Sequence, residues 1–439
     1  MQTIALKFGG SSLASAEQYR KVAAIIRADP ARRYIIASAP GKRSSGDTKI
    51  TDALYAVFET AQAGGDYEST LAAIADRYRG IAGELGVRFD IDGEIGKIRR
   101  RIETRPERDY LASRGEYLGS RLLASYLDVP FVDAEGTVVF REDGTLDAQA
   151  TNRALGGALM GLARAVVPGF YGADAHGTIH TFSRGGSDVT GALVARAVRA
   201  SLYENWTDVS GMLMADPRIV DSPAGIARIS YRELRELSYM GATVLHEDAV
   251  FPVRSSNIPI NIRNTNRPDD PGTMILPHLP ADAAVRPVTG IAGRCGFSAI
   301  LIEKDLMNAE IGFGRKVLEV LEHYGISFEH LPSGIDTMSL VLNTEHLNEH
   351  RDAILHEIHD AVHPDSLIVE DGLALVAVVG HGMVRSKGTA ARVFEAIYRA
   401  GINIRMIDQG SSELNIILGV AETDYAASIR AIYREFMGA

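Results

Sequence analysis

The sequence contains a single cysteine, Cys295, in 439 residues, so the chain cannot form an internal disulfide bond. This usage is typical of a reducing compartment and favours a cytoplasmic protein in which Cys295 is a small buried hydrophobic side chain. Long apolar runs are also missing, and the first residues lack the basic and apolar segments of a signal peptide. These absences argue against a secreted or membrane protein.

An excess of positive charge is absent as well. Lys and Arg number 46 against 56 Asp and Glu, which gives a formal charge of −10. Nucleic-acid binding depends on clustered Lys and Arg that face phosphates, so we expect no nucleic-acid partner. With 46% hydrophobic residues, the chain is long enough for about two to four domains with sizeable cores.

The N-terminal part alternates strand and helix patterns. An apolar run at 3–8 ends in two glycines before a helical pattern, and a second run at 34–37 precedes a helix over 50–63. Such alternation predicts an α/β fold with a mostly parallel sheet sandwiched by helices. Because the proline-rich stretch 264–280 is typical of a linker, we expect the first domain to span 1–285.

The C-terminal part contains an internal repeat. A shift of 76 residues brings 316–328 onto 392–404, and each copy has the pattern of an amphipathic helix that ends at a glycine and is followed by a strand. An apolar strand pattern also precedes each helix, so a βαβ unit occurs twice. We expect two small α+β domains, at 286–370 and 371–439, with a regulatory role.

Two glycine-rich turns are candidates for phosphate binding. Lys7 precedes two glycines at the end of the first strand, and Arg184 and Asp188 flank a second pair of glycines before a helix. Backbone N–H groups at the start of a helix bind anions, and the helix dipole adds to the attraction. Arg184 is suited to clamping a carboxylate, whereas Asp188 can fix a lysine or support magnesium. Each turn alone is equally compatible with an ordinary strand-to-helix connection.

Two other motifs fail closer inspection. The run 36–43 suggests a Walker A loop, but Ile36 stands where the first glycine is required and Arg43 where Ser or Thr should hold magnesium. The run 346–350 matches the H-x-x-E-H pattern of zinc proteases, yet it falls inside the first repeat directly after a strand, where no open metal cleft is expected. We therefore predict no protein metal site.

Two further clusters complete the set: an Asn-Trp-Thr-Asp run at 205–208 followed by Asp216-Pro-Arg218, and Ser-Arg-Gly-Glu at 113–116. Together the four clusters resemble the aspartate kinases of the amino-acid kinase family, and the C-terminal repeat resembles their paired, ferredoxin-like ACT domains. The resemblance runs along the whole chain. It implies ATP-dependent phosphorylation of L-aspartate with Mg²⁺, the first step towards lysine, threonine and methionine, with feedback by an end product.

The resemblance also assigns roles to individual residues. The catalytic residues it implies are Lys7 and Asp188, and the phosphate and ATP contacts are Lys7, Gly9, Gly10, Ser11, Thr207, Asp208 and Arg218. Aspartate contacts are carried over onto Thr51, Glu116 and Arg184, with Glu116 meeting the amino group. The effector pocket is carried over onto Met307, Gly312, Phe313, Glu329, Ser333 and Asp336.

The same resemblance implies the partners of the regulatory part. The inhibitor is expected to be an amino acid, lysine or threonine, bound at a dimer interface. Residues 409–413 of the second repeat are expected to build the interface and complete the pocket. A homodimer or a dimer of dimers through the ACT domains follows.

The sequence departs from the common family pattern at three places. Leu213 stands where many members carry Tyr, Thr243 where several carry Lys, and residues 42–49 lengthen the loop before Thr51. The adenine contacts and the role of Thr51 are therefore the least secured by the resemblance.

Two alternatives remain open from the sequence. One is a kinase of the same fold acting on glutamate, N-acetylglutamate or a nucleotide. The other is a catalytically silent amino-acid sensor built on the kinase fold. The intact Lys7 and Asp188 favour an enzyme, and Arg184 with Glu116 favours a free amino acid as acceptor.

Overall fold

The computed structural model describes residues 2–183, 185–242, 245, 247–279 and 286–438, with only the backbone described at 247–250. The chain forms two compact units, neither of which is continuous in sequence. The first unit comprises Met1–Met212, Gly225–Tyr231 and Thr243–Ala281. The second unit comprises Leu213–Ala224, Arg232–Ala242 and Asp282–Ala439.

The predicted domain limits, 1–285, 286–370 and 371–439, stay predictions. The structure adds that two segments from inside the range 1–285 belong to the second unit.

Parallel strands form the centre of the first unit. Its main sheet has the strand order β3-β2-β1-β6-β8-β9-β7, in which all neighbours from β3 to β8 run parallel. A short hairpin, β4-β5, stands apart. The strands are β1 (Ile4–Phe8), β2 (Arg32–Ala37), β3 (Ala165–Pro168), β4 (Tyr171–Ala173), β5 (Ile179–Thr181), β6 (Leu202–Thr207), β7 (Arg228–Ser230), β8 (Ile260–Asn264) and β9 (Thr273–Leu276).

Helices connect these strands, as the alternating pattern predicts, so the α/β fold class is confirmed. Side-chain and glycine caps define several helix ends: Ser15 accepts a bond from the N–H of Gln18, and Gly86 ends a helix in the left-handed conformation. The helices are α1 (Ala16–Ala28), α2 (Ile50–Gln62), α3 (Glu68–Leu85), α4 (Ile91–Thr104), α5 (Arg108–Leu127), α6 (Ala148–Leu159), α7 (Gly186–Ala197), α8 (Tyr231–Tyr239) and α9 (Glu247–Arg254), of which α8 lies largely in the second unit.

The side chains of β1 alternate between two environments. Leu6 and Phe8 are fully buried in the core that helices α1 to α5 form with the sheet. Lys7, between them, points to the opposite face, where α7 packs on β1, β2 and β6. The strand period therefore places a charged side chain beside α7.

The repeat of the second unit folds as two βαββα copies in one sheet of order β11-β12-β10-β13-β15-β14. In each copy, the strand that precedes the first helix is longer than expected. The strand after the first helix of the second copy begins at Met406 instead of near residue 402. The elements are β10 (Gly290–Glu303), α10 (Phe313–His323), β11 (Phe328–His330), β12 (Thr337–Asn343), α11 (Thr344–Val362), β13 (Ser366–Val379), α12 (Thr389–Arg399), β14 (Met406–Asp408), β15 (Asn415–Ala421) and α13 (Tyr425–Met437).

Strands β10 and β13 are shared between the two copies. Residues 290–294 of β10 pair with the half of β13 that also pairs with β15, whereas residues 297–303, which also pair with β12, pair with the other half of β13. Gly296 and Gly372 lie at the irregular register between the halves, both with positive φ. The second copy therefore gains a further strand from residues 290–294, which precede the first copy.

The expectation that Cys295 is buried is wrong. Cys295 is exposed and lies beside Gly296, where the register of β10 and β13 is irregular. Sequence alone gives no sign of this irregularity, which turns the side chain out of the alternating pattern.

Candidate active site

An ion pair joins the first strand to the start of α7. The Lys7 Nζ lies 2.6 Å from Asp188 Oδ1, and the two side chains are only 11% and 16% exposed. Asn205 of β6 pairs directly with Lys7 in the sheet register, and its Nδ2 donates to the same Oδ1 at 2.8 Å. Because buried charges are costly unless paired and hydrogen-bonded, this triad fixes the lysine in one place.

The first glycine turn is closed by direct backbone contact with the end of β2. The N–H of Gly41 donates to the carbonyl of Gly10 at 2.8 Å. A Cβ atom added at Gly10 would lie 2.8 Å from the carbonyl oxygen of Ala39, and one at Gly41 would lie 2.6 Å from the carbonyl carbon of Gly10. Residues 39–41, from the segment that fails as a Walker A loop, thus pack directly against the turn. We call the two segments together, residues 9–11 and 39–41, the first corner.

Side-chain bonds fix the far side of the first corner. Ser11 is half-buried within the 3-10 turn Gly10–Leu13. The next residue, Ser12, is buried and bonds through its hydroxyl to that of Thr265 at 2.8 Å, directly after β8. Gly9 donates its N–H to the carbonyl of Trp206 at 3.0 Å. The ends of β1, β6 and β8 are therefore locked together.

The second corner is the start of α7. Gly185 has φ +58 and precedes the helix, a conformation that favours glycine. The N–H of Asp188 donates to the carbonyl of Gly185 at 2.8 Å, which places Asp188 in the first helical turn. Arg184 lies outside the described residues.

Glu116 is a buried carboxyl group in the middle of α5. The preceding residue, Gly115, lets α5 approach the segment that follows β2. A Cβ atom added at Gly115 would lie 2.9 Å from the Cβ of Ala39. The backbone N–H of Ala39 donates to the carboxyl group, while Oε2 has no partner among the described residues. Burial raises the pKa of Glu116 to about 8.

Thr51 lies near this carboxyl group on a neighbouring helix. It is half-buried in the first turn of α2, next to Ile50. An added Cβ at Gly115 would lie 3.2 Å from Ile50 Cγ2, so α2 and α5 are in close contact at this point. The structure thus brings Thr51 and Glu116 onto adjoining turns of two packed helices.

The predicted nucleotide residues fall into both units. Thr207 ends β6, and its hydroxyl donates to the exposed Asp208 at 3.2 Å. Arg218 belongs to the second unit, where its exposed guanidinium pairs with Asp216 at 2.6 Å. Leu213 is exposed in the second unit, and Thr243 lies outside the described residues.

The predicted effector residues lie around the turn that follows β10. Met307 and Phe313 are buried in the core of the first copy, and Gly312 precedes α10 with φ +83. Asp336 Oδ1 accepts the N–H of Leu306 at 2.9 Å, which ties this turn to the loop before β12.

The other two predicted effector residues lie on neighbouring segments. Ser333 forms an isolated bridge with Met338, and Glu329 accepts a bond from the hydroxyl of Tyr239.

Sequence reasoning gave no role to several residues that matter here. Asn205 stands within a recognised cluster, but its partner Lys7 is visible only once the parallel register is known. Glu310 is also new: Lys304 and Lys316 contact it at 2.6 and 2.7 Å, and these bonds lower its pKa to about 2. The i to i+6 spacing of Lys304, Glu310 and Lys316 carries no helical or strand signal.

No group of three potential metal ligands occurs within the described part of the chain. The H-x-x-E-H run lies in α11, which is distorted at His350. Of the described helices, none has the length and apolarity needed to cross a bilayer.

Comparison with known proteins agrees with this geometry. Residues 2–264 match the amino acid kinase family, and residues 376–436 match the ACT domain. Aspartokinase 3 of Bacillus subtilis is 40% identical, with 98% of each chain covered. The crystal structure of Clostridium acetobutylicum aspartate kinase is 48% identical and superposes with a TM-score of 0.89, covering 99% of this chain and 100% of that one.

Two structures of Escherichia coli aspartokinase III are also similar. One, with aspartate and ADP in the R-state, has 26% identity and a TM-score of 0.76, with 99% of each chain covered. The other, with lysine and aspartate in the T-state, has 25% identity and a TM-score of 0.73, with both chains fully covered. The chain belongs to the aspartokinases of the amino acid kinase family. It transfers a phosphoryl group from ATP to aspartate and carries ACT domains for allosteric regulation.

Proposed function

We propose that Lys7 and Asp188 are the catalytic residues of this phosphoryl transfer. The observation that carries the proposal is the 2.6 Å ion pair that joins β1, the strand that leads into the first corner, to the second corner. The side-chain carboxylate of aspartate is already ionised at neutral pH, with a pKa of about 4, so no general base is needed. The obstacle is repulsion between two anions, and Lys7 supplies a fixed positive charge for the γ-phosphoryl oxygens.

The backbone amides of Gly9, Gly10 and Ser11 complete this phosphate site in the proposal. Both bonds to Asp188 end on Oδ1, which leaves Oδ2 outside the pair with Lys7 and Asn205. A carboxylate oxygen suits Mg²⁺, a cation that neutralises phosphate charge when bound with ATP. Thr207, Asp208 and Arg218 are proposed as the remaining nucleotide contacts.

Aspartate itself is proposed to bind between the second corner and α5. Arg184 would clamp its α-carboxylate, Glu116 would pair with its ammonium group, and Thr51 would lie beside it. The unpartnered Oε2 of Glu116 supports this role, because a buried polar atom without a bond is costly until a ligand supplies one.

The pKa of Glu116 gives a test of this assignment. Since that pKa is about 8, the carboxyl group must lose a proton before it can pair with an ammonium group. We expect the KM for aspartate to fall by up to about tenfold per pH unit between pH 6.5 and 8. Glu116→Gln should raise KM and remove this pH dependence. An unchanged profile in the variant would refute the role of Glu116.

Acceptor choice is tested by trapping the acyl phosphate as its hydroxamate. Aspartate with ATP should give the product, and glutamate should give at most a trace. Comparable rates with both acceptors would show that Arg184 and Glu116 do not select aspartate.

For regulation, we propose that an end-product amino acid binds at the turn after β10, around Met307, Gly312, Phe313, Glu329, Ser333 and Asp336. Lysine is the first candidate, because the related E. coli enzyme was crystallised with it, and threonine is the second. Inhibition requires different affinity for two states of the enzyme. Adding each amino acid to the hydroxamate assay distinguishes them.

We also propose a homodimer, or a dimer of dimers, through the ACT domains. Leu306, Ile311 and Ile335 are 73%, 98% and 68% exposed, and the N–H of Asn308 donates to the carbonyl of Ile335 at 3.1 Å, which brings the two loops together. A cluster of exposed apolar side chains is typical of a protein interface. A cytoplasmic location completes the proposal, supported by the single cysteine.

A further inference from the structure

Arg77 of α3 is a buried arginine that bonds to main-chain carbonyls far away in sequence. Its side chain is only 7% exposed. The guanidinium donates to the carbonyl oxygens of Gly41, Ala14 and Thr48, the last two at 3.3 and 3.1 Å. One fixed, planar group with five donors thus connects three separate segments.

One of these carbonyls belongs to the first corner, and a second lies just after it in the chain. Gly41 packs against Gly10 and accepts the Arg77 bond on its carbonyl, while its N–H is bonded to Gly10. Ala14 directly follows the 3-10 turn that begins at Gly10. Arg77 therefore bonds to the segments that flank the first corner, and its described hydrogen bonds go to Ala14, Gly41 and Thr48 and not to residues 9–11.

The third segment is the long loop 42–49. All of its side chains are exposed except that of Asp47, whose Oδ2 lies 3.3 Å from Arg77. Arg43 bonds to the same carboxylate at 2.8 and 3.0 Å, and these contacts hold the pKa of Asp47 well below its usual range.

The loop borders open space. A cleft of about 700 Å³ is lined by Arg43, Asp47, Thr48 and Arg77 among others. With open space in place of apolar packing, the position of the loop depends on its polar bonds, and the loop leads directly into Thr51.

We propose that Arg77 is a positioning residue that couples the phosphate corner to the aspartate-binding end of the site. It sets Gly41 against Gly10 on one side and, through Asp47 and Thr48, sets the loop that delivers Thr51 on the other. The inference rests on the proposed roles of the first corner and Thr51. It assigns Arg77 no contact with either substrate.

The test uses Arg77→Gln in the full-length enzyme. Loss of the guanidinium should lower kcat/KM for aspartate by about 10- to 100-fold, through both kcat and KM, because small displacements of positioning groups cost that much. Trypsin should cut after Lys42, Arg43 and Lys49 about tenfold faster, since cleavage follows the population of the opened loop. Mass spectrometry of early digests locates the cuts.

Two further variants separate the corner from the loop. Asp47→Asn weakens the hold on the loop, where the bond to Thr48 remains, and keeps the bonds to Gly41 and Ala14. It should therefore raise cleavage and the KM for aspartate while leaving kcat closer to that of the parent enzyme. Arg77→Lys keeps one charged donor and should restore part of the loop protection.

Arg79→Gln is the matched control, because Arg79 lies on the same helix but is half-exposed and pairs only with surface Asp76 and Asp92. Its kinetics and cleavage pattern should equal those of the parent enzyme. If Arg77→Gln behaves like Arg79→Gln in both readouts, the coupling role is refuted. If cleavage rises as expected but Thr51→Ala leaves the KM for aspartate unchanged, the loop tether stands and the proposed role of Thr51 fails.

Discussion

The two copies of the C-terminal repeat use the same turn in opposite ways. In the first copy, the turn at 304–312 (the first-copy turn) carries exposed Leu306 and Ile311, and in the second copy the turn at 380–388 (the second-copy turn) carries Gly382 and Lys387 at the matching positions. Both turns keep a buried methionine and end in a glycine with φ close to +84 before the helix. The backbone geometry is shared, but the surface chemistry is not.

The second-copy turn is covered by the chain itself. An added Cβ at Gly380 would lie 2.1 Å from the carbonyl oxygen of Pro287, and one at Gly382 would lie 2.3 Å from that of Arg286. Residues 286–288 thus occupy the surface that the first copy leaves open. The contrast teaches that the two copies share the backbone geometry of this turn, which is covered by residues 286–288 in the second copy and exposed in the first.

Among changes to the two turns, we expect the largest effect on assembly of the dimer. Ile311→Asp places a charge on the most exposed apolar residue of the first-copy turn, and we expect about 100-fold weaker dimerisation because a charge would be buried at an apolar interface. Light scattering over a dilution series measures it. Lys387→Asp, at the matching position, should leave assembly unchanged, and equal weakening by both would contradict the comparison.

Adding a side chain at Gly382 in the second-copy turn should destabilise the protein. Gly382→Ala forces a methyl group against the backbone at Arg286, at a cost of about 1–3 kcal/mol. Leu306→Ala, its counterpart in the first copy, alters an exposed side chain and should change stability by less than about 0.5 kcal/mol. Thermal unfolding of both variants measures the two losses of stability. A larger loss for Leu306→Ala than for Gly382→Ala would contradict the comparison.

Effector response should depend more strongly on the first-copy turn than on the matching position of the second copy. Asp336→Ala removes the bond to the N–H of Leu306, and we expect the effector concentration for half-inhibition to rise about tenfold, as for the loss of one charged hydrogen bond. The matched change, Ser412→Ala, removes only a hydroxyl from residues 409–413 and should have a smaller effect. The hydroxamate assay titrated with lysine or threonine provides the measurement, and parallel loss in both variants would indicate that the second copy also binds.

A smaller effect is expected on the pH dependence of stability, through Glu310 in the first-copy turn. The pKa of Glu310 is depressed to about 2 by its lysine bonds, so its contribution to stability is complete above its unfolded pKa, near 4.5, and is lost as the pH falls towards 2. Glu310→Gln should therefore lower the melting temperature at pH 6 and converge with the parent enzyme near pH 2. Ser386→Ala, the matching position, should show no such convergence, and a pH-independent difference in Glu310→Gln would rule out the ion pair as its cause.

The sequence was most informative where chemistry coincides with local structure. Lys7 and Asp188 could be located because each stands beside paired glycines between a strand and a helix, a pattern written within a few residues. Thr51 and Glu116 required the family resemblance, since nothing local marks a buried glutamate in the middle of a helix.

What sequence could not supply depends on contacts across long separations. Arg77 bonds to carbonyl oxygens, which every residue has, so its partners leave no side-chain signature. Likewise, the division of β10 and β13 between the two copies is visible only in the register of their pairing. The exposure of Cys295 follows from the irregular pairing between the two halves.

The central claim is that Lys7, held by Asp188 and Asn205, supplies the charge on which phosphoryl transfer depends. The most direct measurement is the turnover of Lys7→Ala in the hydroxamate assay, with circular dichroism to verify the fold and, as control, Lys21→Ala at a half-buried lysine of α1 that pairs with Glu17. We expect kcat to fall about 1,000-fold for Lys7→Ala and to stay unchanged for Lys21→Ala. Near-normal turnover in folded Lys7→Ala would contradict it.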